Sequence, residues 1–228
     1  MNTVVYTHGA QGPRMPTTSF GNAVAYYGNM TVYNWTIAAG KTIYAPTFSG
    51  LNRIPYELTV VYNSQSSYIG VWDWVKGTGF FNPMTISDPT FQKYYVANLG
   101  DGLPEITVET TWNGTNSRYT AYIYNYYTRA WNTWYNASGG LPAVTQDGHD
   151  IFEYYLPLGS NCLVIPKIAS SGISVYDQTV GKWIQAGPAN SYDNRDSTDT
   201  CFSGGYNPWV ENMITANNHW QMTGGLGS

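Results

Sequence analysis

In the stretch Ser117–Gly140 (SRYTAYIYNYYTRAWNTWYNASGG), aromatic side chains recur at alternate positions on both sides of a short turn. Side chains of a strand point to opposite faces with period two, so the pattern predicts a β-hairpin turning at Tyr126–Arg129. On its first strand Tyr119, Ala121 and Ile123 share one face, and Thr120, Tyr122 and Tyr124 share the other. On the return strand Trp131, Thr133 and Tyr135 oppose Asn132, Trp134 and Asn136. Both faces therefore carry rings. One fills a core; the other needs a second sheet, a partner or a ligand.

The hairpin does not stand alone. Glu105–Trp112 (EITVETTW) reads as a strand leading into Asn113-Gly114, a strong hairpin turn signal, so Glu105–Tyr135 is expected to form a three-stranded meander. Further strands are expected at Thr3–Thr7, Ala23–Tyr27, Met30–Ile37, Lys41–Pro46, Tyr56–Asn63, Tyr68–Val75 and Phe91–Ala97. Beyond the hairpin they fall at Ile151–Leu156, Cys162–Ile168, Gly172–Asp177, Lys182–Gln185 and His219–Met222. Only Trp209–Ala216 suggests a short helix. Turns every 8–12 residues imply an all-β antiparallel sandwich or jelly roll, formed as one domain over residues 1–223. Residues 224–228 (GGLGS) read as an appended linker.

Tripeptides of the form aliphatic–aromatic–Asn/Asp recur at Val32-Tyr33-Asn34, Val61-Tyr62-Asn63, Val71-Trp72-Asp73, Ile123-Tyr124-Asn125 and Val175-Tyr176-Asp177. Three begin at evenly spaced positions (71, 123 and 175), and blades of a small β-propeller would repeat at about that period. The glycine doublets Gly139-Gly140 and Gly204-Gly205 do not keep step. Generic hairpin chemistry, with Asn or Asp opening the turn and a following Trp packing on the aromatic, is the preferred account.

Composition narrows the class of work. Charged residues make up 11% of the 228 residues, against roughly 25% in average domains; Tyr, Asn, Thr and Ser carry the polarity instead. A net charge of −4 and scattered arginines leave no phosphate-binding footprint, so a nucleic-acid partner is not expected. No apolar run approaches the roughly 18 residues of a membrane span. The two cysteines, Cys162 and Cys201, are expected to pair; a bond closing about 40 residues is worth roughly 3–4 kcal/mol in the chain-entropy model. A secreted, extracellular protein fits these features. The start, Met1-Asn2-Thr3, has neither the basic nor the apolar region of a signal peptide, as in a mature chain with an added initiator Met.

Three kinds of chemistry are expected. Tyr and Trp rings stack on the flat faces of sugars while Asn and Asp bond their hydroxyls, so Tyr122, Tyr124, Asn125, Tyr127, Asn132, Trp134, Trp72 and Asp73 are the candidate ligand-binding set. The glutamates Glu57, Glu109 and Glu153 are the catalytic candidates if the chain is an enzyme. Glu57 and Glu153 each sit between apolar or aromatic neighbours that raise an acid's pKa. Glu105 and Glu109 on one strand would stand about 13 Å apart, beyond the roughly 5–9.5 Å of glycosidase pairs, so a partner must come from another strand. Asp193, Asp196 and Asp199 in YDNRDSTD offer oxygen ligands for calcium, but their spacing departs from that of known calcium loops; no other cofactor is implied. His149-Asp150 is a loop histidine beside an acid, and no serine-hydrolase elbow occurs. The sequons at Asn29, Asn34, Asn113 and Asn136 matter only in a eukaryotic source.

The leading expectation is non-catalytic binding of an extracellular glycan through a Tyr/Trp face. The alternatives are a secreted glycoside hydrolase, polysaccharide lyase or acid-type peptidase with paired glutamates, and an adhesive surface protein or toxin.

Overall fold

A computed structural model describes residues 5–50, 54–77, 79–139, 147–195, 201–202 and 209–224. In chain order the elements are β1 (Tyr6–Met15), α1 (Thr17–Phe20), β2 (Ala23–Thr31), β3 (Thr42–Ser49), β4 (Tyr56–Tyr62), β5 (Ser67–Asp73), β6 (Phe80–Thr85), α2 (Pro89–Tyr95), β7 (Ala97–Leu99) and β8 (Leu103–Asn113). They continue as β9 (Arg118–Asn125), β10 (Ala130–Ser138), β11 (Gly148–Pro157), β12 (Ile165–Asp177), β13 (Lys182–Gln185), β14 (Tyr192–Asn194), β15 (Trp209–Thr215) and β16 (His219–Gly224). Seven strands form one antiparallel sheet in the order β14-β1-β11-β3-β4-β5-β6. The second sheet runs β10-β9-β8-β2-β12-β16-β15, with β13 paired to β12 and β7 to β8. The architecture is the expected all-β sandwich, not a propeller.

Period-two alternation assigns the layers. Tyr56, Leu58, Val60 and Tyr62 of β4 and Phe152, Tyr154 and Leu156 of β11 face inward from the first sheet. Ile106 and Val108 of β8 and Tyr119, Ala121 and Ile123 of β9 meet them from the second. The meander β8-β9-β10 forms as expected, with one change of face. A bulge between Thr133 and Tyr135 adds a residue on β10, so Tyr135 turns into the core instead of sharing a face with Trp131. Trp134 is also buried, donating its indole N–H to the Asn82 carbonyl at 2.9 Å.

Four of the five recurrent tripeptides are turn openers. The side-chain oxygens of Asn63, Asp73, Asn125 and Asp177 each accept from the backbone N–H groups two and three residues on, which is the Asx-turn bond that starts a hairpin. Trp131 stands opposite Tyr124, and Trp183 opposite Tyr176. The ring centroids of these pairs lie 5.3 and 5.6 Å apart.

Two expected elements change type, the expected strand Met30–Ile37 is strand only to Thr31 at the end of β2, and His149, expected in a loop, lies on β11. Phe91–Ala97 is mostly helix: Asp88 accepts from Thr90 N at 2.6 Å and Phe91 N at 3.2 Å, and Pro89 occupies the first turn. That N-cap and proline outweigh the strand propensity of the aromatics. The expected helix Trp209–Ala216 is instead strand β15 up to Thr215, paired with β16. Trp209 and Glu211 are buried while Val210 and Asn212 are exposed, a period of two that only the partner strand makes visible. The cysteines form the expected Cys162–Cys201 disulfide.

Buried acids tie the layers together. Asp150 of β11, fully buried, accepts from Ser170 Oγ at 2.7 Å, from Trp220 Nε1 at 3.1 Å and from the Tyr26 hydroxyl, all on the opposite sheet. Gly28 makes room for this, since a Cβ there would lie 2.9 Å from the Tyr26 hydroxyl. Asp73 of β5 accepts from Tyr135 Oη at 2.5 Å and Tyr119 Oη at 3.2 Å. Burial raises the Asp150 carboxyl to about 6 against the pull of its three donors. Burial also raises Glu105 to about 7, with Asp101 adding to it, and Glu211 to about 7, where Gln11 opposes burial and Asp193 reinforces it. His149 is shifted the other way, down to about 3, by burial and by Arg14.

An acid whose folded pKa lies above its unfolded value stabilises fully below the unfolded value and loses that stability as pH rises. Urea unfolding is therefore expected to show stability falling between about pH 4 and pH 8. Below the ordinary histidine range, His149 works in the opposite direction. Asp150→Asn should remove its share of the slope, about 3 kcal/mol for a shift of roughly two units. An unchanged pH slope in that variant would show that Asp150 titrates normally.

Candidate active site

The outward face of the seven-stranded sheet carries three cross-strand rows. The first is Glu153–Tyr44–Val61–Tyr68, the second Ile151–Thr47–Thr59–Gly70, and the third holds His149, Glu57 and Trp72. They arise because β11, β3, β4 and β5 pair antiparallel and every second residue faces outward. The β3 register shifts between Tyr44 and Thr47 and brings the threonines into line.

Over these rows lies a cavity of about 170 Å³ lined by Tyr44, Thr47, Glu57, Thr59, Trp72, Trp74, Phe80, Glu153 and Tyr155. Its floor is polar: Thr47 and Thr59, both buried, join hydroxyls at 2.5 Å. Its walls are aromatic. Trp72 packs edge-on against Phe80 and Trp74 at 5.2 and 5.7 Å, and Tyr44 packs against Tyr155 at 5.7 Å. Gly70 admits the Phe80 ring, since a Cβ there would lie 2.8 Å from it. The Trp72 indole N–H is buried without a hydrogen-bond partner among the described residues.

Glu57 and Glu153 stand diagonally across the threonine floor, on strands separated by β3. Glu153 Oε1 is 2.7 Å from His8 Nε2 and accepts from Tyr155 Oη at 3.3 Å. Burial, then the Glu153 charge and bond, and further off Tyr44 and Glu57, push the Tyr155 hydroxyl up to about 12. It therefore remains a donor. Two half-buried carboxylates, hydroxyls between them and aromatic walls are suited to general acid–base chemistry on a neutral polar substrate.

The other candidates lie elsewhere. Glu109 is on the outward face of the second sheet, beside a broad hollow lined by Thr111, Trp112, Tyr176 and Trp183, and its pKa is raised by burial. Tyr122 pairs across from Glu109 on that sheet, and Tyr124 packs on Trp131. Tyr127 is exposed under the Lys93 ammonium, 4.5 Å from the ring centroid. Asn125 opens its turn, and Asn132 donates to Tyr95 Oη at 3.1 Å. Trp134 and Asp73 are core residues, so no single ligand-binding set forms from the eight. Trp72 lines the same cavity as the glutamates.

Of the calcium candidates, Asp193 pairs with Arg195 Nε at 2.5 Å, and Asp196 and Asp199 lie outside the described residues. Among the described residues no three His, Cys, Asp or Glu side chains gather to hold a metal. The sequence reading missed His8, Tyr44, Thr47, Thr59, Phe80 and Tyr155. The alternation Glu153-Phe152/Tyr154-Tyr155 was the one signal that could have flagged Tyr155 as facing the same way as the glutamate.

No protein-family model and no curated protein sequence matches the chain. Solved structures do. Scytalido-glutamic peptidase bound to a transition-state analogue inhibitor aligns with a TM-score of 0.55 at 10% identity, covering 97% of this chain and 99% of that one. The same peptidase with a peptide-based transition-state analogue gives 0.52 at 11% identity over the same shares of both chains. What is shared is the fold. The comparison overturns the expectation of a lectin-like glycan binder: both of these structures, aligned over nearly their full length, are peptidases, and the rings meant for a sugar face are divided between the core and two separate surfaces.

Gly70→Ala is expected to crowd the Phe80 ring and cost about 1–3 kcal/mol, the usual penalty of overpacking. Urea denaturation checks this. A loss below a few tenths would mean that Phe80 moves aside freely.

Proposed function

We propose that this chain is a peptide hydrolase of the acid type, with Glu57 and Glu153 as its carboxylate pair. The observation that carries the reading is the convergence of these two glutamates on one aromatic-walled cavity, within a fold that matches glutamic peptidase structures end to end. Glu153, already accepting from Tyr155, takes the role of base and removes a proton from the attacking water. Glu57, protonated, bonds the carbonyl oxygen as negative charge develops there. The water oxygen adds to the carbonyl carbon, the C–N bond breaks, and the leaving nitrogen takes the proton held by Glu153, giving one carboxylic acid and one amine. One carboxyl must be protonated and the other ionised, which favours work below neutral pH. The buried acids Asp150, Glu105 and Glu211 stabilise the fold in the same range. The aromatic walls would seat apolar side chains flanking the cleaved bond.

Incubation of an unfolded protein substrate with the purified chain between pH 2 and 7, read by mass spectrometry, tests the reading. Wild type is expected to cleave. Glu57→Gln and Glu153→Gln should each lose about 10²–10⁴-fold in kcat with melting temperature retained. Cleavage unaffected in both variants would remove the pair from the chemistry.

A further inference from the structure

Strand β1 brings a histidine to the edge of the cavity. His8 pairs across from Tyr155, and their rings stack with centroids 4.4 Å apart and planes 24° from parallel. Both side chains reach the same atom: His8 Nε2 lies 2.7 Å and Tyr155 Oη 3.3 Å from Glu153 Oε1. Tyr155 can only donate here, and a short contact to a carboxylate requires that Nε2 carry its proton, whether the ring is neutral or charged. With two donors on Oε1, the carboxylate cannot rotate freely about its last bond, and Oε2 is the oxygen left for other contacts.

We infer that His8 is the positioning residue of Glu153, stacking on Tyr155 and fixing Oε1 so that Oε2 is presented to water. This rests on the assignment of Glu153 as the base. His8 itself is not placed in contact with substrate; it acts through the carboxylate. The arrangement explains why an imidazole, about half exposed, is held in a stack at the rim: a flat ring can stack and donate in one rigid geometry, whereas a flexible cation would hold the charge without the direction. A displacement of about 1 Å in a catalytic group can cost about 10²-fold in rate, so the loss of this clamp should be read mainly in kcat.

Two variants separate donor from ring. His8→Phe keeps the stack and removes the donor; His8→Gln offers a donor amide at the position of Nε2 without the ring. On a peptide substrate, His8→Phe is expected to lower kcat by about 10–100-fold with KM within about twofold and melting temperature unchanged. His8→Gln should recover most of the rate, and Tyr155→Phe should fall between. Equal losses in His8→Phe and His8→Gln, or none in either, would overturn the assignment.

Nitrogen NMR of the three histidines supplies a readout that needs no turnover. His8 is expected to carry its proton on Nε2 in the wild type and to lose that preference in Glu153→Ala. If wild type cleaves no peptide but the tautomer responds, the clamp stands and the peptidase reading falls. If cleavage requires Glu153 but the tautomer and the His8→Phe rate do not respond, the clamp alone is wrong.

Discussion

Asp150 joins the two layers at a single carboxyl group. Tyr26, Ser170 and Trp220 come to it from β2, β12 and β16, so three neighbouring strands of one sheet are tied to one strand of the other. A buried carboxyl is costly unless its lone pairs are occupied, and three convergent donors meet that need at the cost of fixing β11 in depth and rotation. Period-two alternation does the rest. With Asp150, Phe152 and Tyr154 held inward, Glu153 and Tyr155 are forced outward into the cavity. The placement of the proposed base is thus a consequence of how the opposite side of its strand is anchored.

The sequence made the local structure visible wherever bonds are short in range. Asn125 and Asp177 open turns with their own backbone, and the rings that follow pack on the hairpin they belong to; nothing distant is needed. The same logic explains the errors. Asp88-Pro89 is a local cap signal that the aromatic run after it concealed. For Trp209–Ala216 the deciding contact is the pairing with β16, reinforced by the burial of Trp209 against Phe152 and Tyr154. At β10, one extra residue at a bulge moved Tyr135 from the surface to the core, which no alternation count can anticipate.

Function was harder to read because pairing in space scrambles order in the chain. Glu57 and Glu153 were each visible as acids among apolar neighbours, but their meeting depends on β3 lying between β4 and β11. That order places sequence-distant strands side by side. The excess of rings misled for a related reason. Seen along the chain they suggest one broad sticky face, yet the sandwich has four faces to supply. Tyr56, Tyr62, Tyr119, Tyr154 and Trp220 are absorbed by the core. Tyr44, Trp72, Phe80 and Tyr155 wall the cavity, and Tyr124, Trp131 and Trp183 stay on the far sheet.

The buried carboxyls of the core and the proposed carboxylate pair point in one direction, with buried His149 pulling against them. In the core, protonation of Asp150, Glu105 and Glu211 is what burial prefers, while burial resists protonation of His149. In the proposed site, a carboxylate pair works only while one member keeps its proton. A fold whose stability declined in acid would lose its platform in the range where such a pair is competent. Here the buried carboxyls oppose that loss, and the low charge of the surface limits the self-repulsion that protonating the remaining acids would create. The aromatic and hydroxyl-rich composition then has a physical reason: Tyr, Thr, Ser and Asn keep their hydrogen bonding unchanged across the acid range, where a surface built on Asp and Glu would not.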